Sequence, residues 1–437
     1  MHKVQSKTAM PLCPAAQGLY RKSPAWEVNA ANAPLPSLRA EYNDGSISLY
    51  GGRVVKGSKK AKRSSWQQFI PMFLFLVTGI VCGLVMVRYI EDIVAQQMPF
   101  WEEIIFIAVL FVLMLIALLI QIVIHEGGHL VFGRISGYRF SSFRIMNLMW
   151  IEDQGKIKLK HLQVAGTGGQ CLMSPPDLID GKIPVVLYNL GGSLMNIISA
   201  AIFALLYAVF YNTTFFSAEM ILLAVIGVGF AVVNGVPMRM GMVDNDGHNA
   251  LALSKDKEAL QSFWIQMKIS EQTTKGVRLK NMPKAWFQVP SDQAMKNTMT
   301  AAVGVFACNR LMDEHRFDEA DRLMDHLLEI DSGIAGLHRN LLICDRIYVE
   351  LIGSCRKEIL DGMLTKEQKA FMKSMKNFPS VIRTQYAWTL LCERAENKAG
   401  KILVQFEKCA KTYPYPNDIE SEWELMTIAR QKAKAEE

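Results

Sequence analysis

With 437 residues, half of them hydrophobic and only 20% charged, the chain is too apolar to be disordered. At a mean hydropathy of +0.14 it is also too apolar for an ordinary soluble enzyme. The excess lies almost wholly between residues 69 and 237, flanked by a basic polar leader and a charged, helix-rich tail, which makes a collagen, a secreted disulfide scaffold or a nucleic-acid-binding arm a poor fit; the net charge of +7 matters through its placement.

Residues 1–65 hold no apolar run suited to a secretory signal, and Pro11, Pro14, Pro24, Pro34 and Pro36 stand there among small and polar residues. A disordered leader is expected. Arg53, Lys56, Lys59, Lys60, Lys62 and Arg63 close it, just ahead of the first apolar run. Beside a membrane span such a cluster holds its end on the cytosolic side.

Four stretches, 69–87, 104–133, 184–210 and 217–236, approach or exceed the roughly 20 residues a helix needs to cross a bilayer. The short connection from Tyr211 makes the last two an antiparallel hairpin. Between the first and second spans Arg88 is the one basic residue, against Glu91, Asp92, Glu102 and Glu103. Between the second and third come Arg134, Arg139, Arg144, Lys156, Lys158, Lys160 and Lys182, and between the third and fourth there are none. The bias predicts an alternating topology with both termini cytosolic.

The loop at 134–182 has a pattern of its own. Residues 142–151, a turn over Glu152–Gly155 and Lys156–Lys160 predict a hairpin, which Gly166, Gly168 and Gly169 then interrupt. After residue 250 the chain reads as amphipathic helices of 12–17 residues. Phe317-Asp-Glu-Ala320 lies between two helical patterns within 308–330, in the manner of a tetratricopeptide helix pair. Further pairs are expected at 336–360 and at 379–411, where Tyr386, Trp388 and Leu391 mark one face; the irregular period predicts a helical-repeat-like domain rather than a regular array. The eight cysteines form no CxxC pair and read as reduced, mostly core thiols.

Within the second span stands His125-Glu126-Gly127-Gly128-His129. Histidines four apart share one helix face, as two ligands of a tetrahedral Zn²⁺ require, and the adjacent glutamate can exchange a proton with water on the metal. Ionisable groups inside a spanning helix are costly and mark function, and Gln121 extends the polar stripe by one turn. Gly127 and Gly128 are expected to let another backbone approach the metal side. A catalytic zinc takes a third protein ligand and keeps one position open. Asp246, in Val243-Asp244-Asn245-Asp246-Gly247-His248, is the favoured third ligand, because the topology returns that loop to the depth of the histidines. Asp244 and Glu152 are its rivals; His248 is either a further ligand, an oxyanion donor or an ordinary loop histidine.

Three segments together resemble the site-2 protease family of intramembrane zinc metalloproteases: HEGGH at 125–129, Gly191-Gly192-Ser-Leu-Met-Asn196, and Asn234-Gly-Val-Pro237 followed by Asn245-Asp246-Gly247. The hairpin ending at Gly168-Gly169 is similar to that family's membrane-associated β-segment. Ser193 stands where the family has proline, and Met238–Met242 lengthen the gap between Pro237 and Asp246. The resemblance spans about residues 70–252 and implies that His125, His129 and Asp246 bind Zn²⁺, that Glu126 is the general base, and that Asn196 lies near the site as a substrate or oxyanion contact.

The expected fold is an α-helical polytopic membrane protein with a small membrane-associated β-hairpin and an all-α cytosolic domain. Its expected parts are a leader (1–65), a transmembrane metalloprotease core (66–252) and a helical domain (253–437). The expected activity is cleavage of membrane-associated protein substrates, in a bacterial cell membrane, by Zn²⁺-bound water that Glu126 activates. The helical domain is expected to recruit a cytosolic protein partner, and nothing points to nucleic acid. The alternative is a membrane-anchored receptor or scaffold with a structural zinc site.

Overall fold

The structure, a computed structural model, describes residues 65–437 apart from 154, 241, 242 and 437. The expected leader to residue 64, with its basic cluster and Cys13, lies outside the described residues.

Among the described residues, four helices are long and apolar enough to cross a membrane: α1 (Ser65–Val94), α2 (Phe100–Ile135), α3 (Val186–Val209) and α4 (Thr214–Gly235). Their outer faces carry Phe73, Leu84, Ile105 and Leu205, all more than 60% exposed. Helices whose outward faces are apolar suit lipid rather than water. At 36 residues α2 runs about 54 Å, well beyond a hydrocarbon core of about 30 Å. Its buried polar residues Gln121, His125 and His129 fall at helical spacing on the face turned toward α3 and α4, with Glu126 beside them toward β4.

Between α2 and α3 the expected hairpin is a four-stranded antiparallel sheet. It contains β1 (Arg139–Ile145), β2 (Leu148–Asp153), β3 (Lys156–His161) and β4 (Gly169–Ser174), in the order β3-β2-β1-β4. The single arm read at 142–151 is split by a reversal at Met146, whose φ is 54°. Gly169, read as an interruption, pairs with Ile145 and opens a strand. Tyr138, just before the sheet, and the sheet's inner residues Cys171 and Met173 pack with Tyr188 of α3 and with Leu253, Leu260 and Met267 beyond α4.

Arg144 is one of the basic residues of this loop. It is 1% exposed and donates to Met146 O, Thr167 Oγ1 and Gly169 O, so it ties the β1–β2 turn to the start of β4 rather than meeting solvent or headgroups.

The remainder is helical: α5 (Asp246–Lys255), α6 (Lys257–Thr274), α7 (Thr298–Asp313), α8 (Phe317–Glu329), α9 (Gly336–Ile352), α10 (Lys357–Met363), α11 (Lys366–Ser374), α12 (Pro379–Leu391), α13 (Glu396–Thr412) and α14 (Pro416–Ala435). Local chemistry starts several of these, with the Asp256, Asn297 and Thr365 side chains capping α6, α7 and α11. Phe317–Ala320 is the first turn of α8, where Asp318 and Glu319 favour the helix dipole. The chain reverses just before it, at His315 with φ 57°. One core runs through α7, α8, α9, α12, α13 and α14, around Cys308, Leu327, Tyr348 and Phe406. Met149, Ile151 and Leu162 of the sheet segment pack with Tyr413, joining sheet and helices.

Candidate metal centre

The end of α2 meets the start of α3 through glycine. Gly128 and Gly191 approach so closely that a Cβ on either would collide with the other's carbonyl, which lets the two backbones touch beside the histidines. Gly127, also expected to serve this approach, faces open space. One residue further along α3, a Cβ at Gly192 would enter the His125 ring.

The His125 ring is fixed from behind. Gln121 Nε2 donates to Leu223 O at 2.8 Å, leaving Gln121 Oε1 to accept from Asn196 Nδ2 at 2.7 Å. Asn196 Oδ1 then faces His125 Nδ1 at 2.7 Å. His129 Nδ1 meets another acceptor, Tyr188 O, at 2.9 Å. Each imidazole therefore carries its proton on Nδ1 and presents a bare Nε2, as a metal ligand must.

Asp246 arrives from the far end of α4. The Asn245 side chain accepts from Met238 N and His248 N and donates to Val233 O and Val236 O. It thus caps α5 while clasping the end of α4, and Asp246 is the first residue of the capped helix.

Three donor atoms converge. His125 Nε2 lies 3.0 Å and His129 Nε2 lies 3.3 Å from Asp246 Oδ2, and the two Nε2 atoms are 3.3 Å apart. Ligand bonds of about 2.0–2.1 Å at tetrahedral angles put donor atoms about 3.3–3.4 Å apart. The spacing, the two-imidazole and one-carboxylate donor set and the oriented Nδ1 atoms all fit a zinc ion. Glu126 is 7% exposed, and its carboxylate lies against Gly169, where a Cβ would collide with it.

The other residues singled out from the sequence lie elsewhere. Glu152 is exposed on β2, opposite Ile157. Asp244 faces His248, with Asp244 Oδ2 3.7 Å from His248 Nε2. Arg239 Nε also approaches that His248 nitrogen at 3.4 Å. Among the described residues, neither acid nor His248 belongs to the metal-binding group. Sequence reasoning gave Asn245 no role of its own within the Asn245-Asp246-Gly247 segment, although an Asn immediately before Asp-Gly is a recognisable helix-cap signal. It also passed over Tyr188, whose contribution is a backbone carbonyl that no side-chain pattern reveals.

The model of one protein family, described as peptidase family M50, matches residues 113–389, from within α2 to near the end of α12. No curated protein and no solved structure matches the chain.

Proposed function

The chain belongs to peptidase family M50, the site-2 protease family of membrane metalloproteases, and on that premise we propose that it is a zinc peptidase that cleaves membrane-associated proteins. The observation that carries this reading is the convergence of His125 Nε2, His129 Nε2 and Asp246 Oδ2 at 3.0–3.3 Å beside a buried Glu126. Those three residues would hold the metal. When bound, a zinc ion supplies Lewis acidity and brings the pKa of a coordinated water toward about 7.

The remaining steps belong to the chain's own groups. Glu126 accepts a proton from the attacking water and returns it to the leaving amine nitrogen, a role worth about 10²–10⁴ in rate for a positioned general base. The contact with Gly169 limits where the Glu126 carboxylate can swing. Asn196 acts through His125, whose ring it orients, rather than at the substrate.

For the substrate, β3 supports an extended segment. It is one of the sheet's two edges, every residue but Lys160 is exposed, and Ile157 and Leu159 are more than half exposed. A substrate stretch unwound from a helix can add there as a further strand.

Glu126→Gln in detergent-purified protein tests the reading. It should leave the zinc stoichiometry unchanged and reduce cleavage of membrane peptides by at least about 100-fold. Unchanged cleavage would rule out Glu126 as the base, and a membrane-peptide profile identical in cells carrying either form would rule out the protease reading.

A further inference from the structure

The helices beyond α5 enclose a cavity of about 310 Å³, between α6, α7, α9, α12 and α14. None of the metal-group residues lines it, and its size is at the lower end of small-ligand pockets, about 300–1,000 Å³.

Its charges do not balance. Arg278 and Arg383 face four carboxylates, Asp313, Asp345, Asp418 and Glu422. Arg278 is engaged by Asp313 and Glu424, and Arg383 by Asp345 and Glu422. Asp418 is left with Tyr413 and a long contact from Asn417 Nδ2 at 3.4 Å. Burial, with Glu422 and Asp313 alongside, pushes its carboxyl up to about 7, despite the opposing pull of Arg278.

Two further polar atoms on lining residues have no hydrogen-bond partner: the acceptor Asn417 Oδ1 and the donor Arg383 Nη1, whose guanidinium lies over the Tyr348 ring. The residues that carry them are 5% and 1% exposed. Buried polar atoms are nearly always paired, so this combination describes a recognition set without its ligand. The ligand must bring positive charge, N–H donors for Asp418 and Asn417, and an acceptor for Arg383. An inorganic cation meets the carboxylates but offers nothing to Arg383 Nη1, and an anion meets Arg383 but faces four carboxylates. Leu341, Phe306 and Leu425 complete the wall and suit a methylene stem.

We propose that this cavity binds a basic α-amino acid, its ammonium groups on Asp418 and Asn417, its carboxylate on Arg383 and its alkyl stem along the apolar wall. The proposal concerns binding and does not depend on peptide hydrolysis.

The test uses the full-length protein in detergent and three matched probes. L-ornithine carries every required group, putrescine lacks the carboxylate, and L-norvaline lacks the side-chain ammonium. Calorimetric titration should give the tightest binding for L-ornithine, with each of the others at least about tenfold weaker, and L-ornithine should raise the unfolding temperature. Asp418→Asn removes the charge with little change of shape and should weaken L-ornithine at least about tenfold. Ser270→Leu, a neutral change on the α6 wall, should abolish binding by filling the space. No detectable L-ornithine binding, equal affinity for all three probes, or undiminished affinity in both variants would overturn the proposal.

Discussion

Asn196 Oδ1 accepts from His125 Nδ1 at 2.7 Å, and the direction of that bond is settled two residues away by a backbone carbonyl. Leu223 O can only accept, so Gln121 must turn its Nε2 toward it and its Oε1 toward Asn196 Nδ2. Asn196 is thereby left with its oxygen facing the histidine. A carbonyl on α4 thus decides, through two amides on α2 and α3, which nitrogen of His125 is free for a metal.

Breaking this relay should therefore weaken metal binding before it affects chemistry. Asn196→Leu is expected to lower zinc affinity by about 10–100-fold, and Asn196→Asp, which keeps an acceptor opposite Nδ1, should recover most of it. Competition with a chromophoric chelator gives the affinities directly. If Asn196→Leu held zinc as tightly as the wild type yet lost kcat, Asn196 would be a substrate or oxyanion contact instead.

The third ligand can be separated from its rivals by metal content. Asp246→Ala removes the carboxylate that lies 3.0 Å and 3.3 Å from the two imidazole nitrogens and should strip most of the zinc at micromolar free metal. Asp244→Ala and Glu152→Ala should each retain full stoichiometry, since Asp244 faces His248 and Glu152 lies exposed on β2. Zinc counted by atomic emission after dialysis decides the matter; depletion in either control would move the ligand.

Much of this architecture was legible because it is written in local patterns. Apolar length marks all four spans, and four-residue spacing puts His125 and His129 on one face. Alternation of the spans brings the loop holding Asp246 to the same end of the bundle as those histidines. What stayed hidden is non-local. Gly169–Ser174 becomes a strand only by pairing with β1, some 25 residues earlier at Arg144↔Gln170, and its Gly-Gln start carries little strand propensity. Counting charges cannot tell a buried Arg144 from an exposed Lys158, because the difference lies in whether carbonyls such as Gly169 O close around the guanidinium. His248 could not be assigned from the sequence, since its orientation toward Asp244 depends on the turn that Asn245 clasps.

Two glycines next to the centre should give opposite kinetic signatures when a methyl is added. Gly192→Ala pushes into the His125 ring and should lower zinc content together with activity. Gly169→Ala pushes into the Glu126 carboxylate, so zinc should stay bound while kcat falls, by about tenfold or more. Metal analysis and steady-state kinetics on both proteins distinguish the cases. Zinc loss in Gly169→Ala would mean that β4 supports the ligands themselves.

Stability should carry a pH signature from Asp418. An ordinary aspartate titrates near about 3.9, whereas burial and the neighbouring Glu422 and Asp313 push this one up to about 7, with Arg278 and Tyr413 opposing. A folded-state pKa above the unfolded one means that the folded protein holds the proton more tightly. The group's contribution is then complete below about pH 4 and is lost as pH rises through about 7. Asp418→Asn, which cannot ionise, escapes that loss. Its unfolding temperature relative to wild type should therefore be several degrees more favourable at pH 8 than at pH 5.5, because a difference of about 1 kcal/mol shifts a domain of this size by about 2–4 °C. Differential scanning calorimetry without added amino acid makes the comparison, since a bound cation would stabilise the ionised carboxylate and mask it. A difference that did not change between the two pH values would place Asp418 in an ordinary, solvated environment and remove the charge imbalance from the cavity.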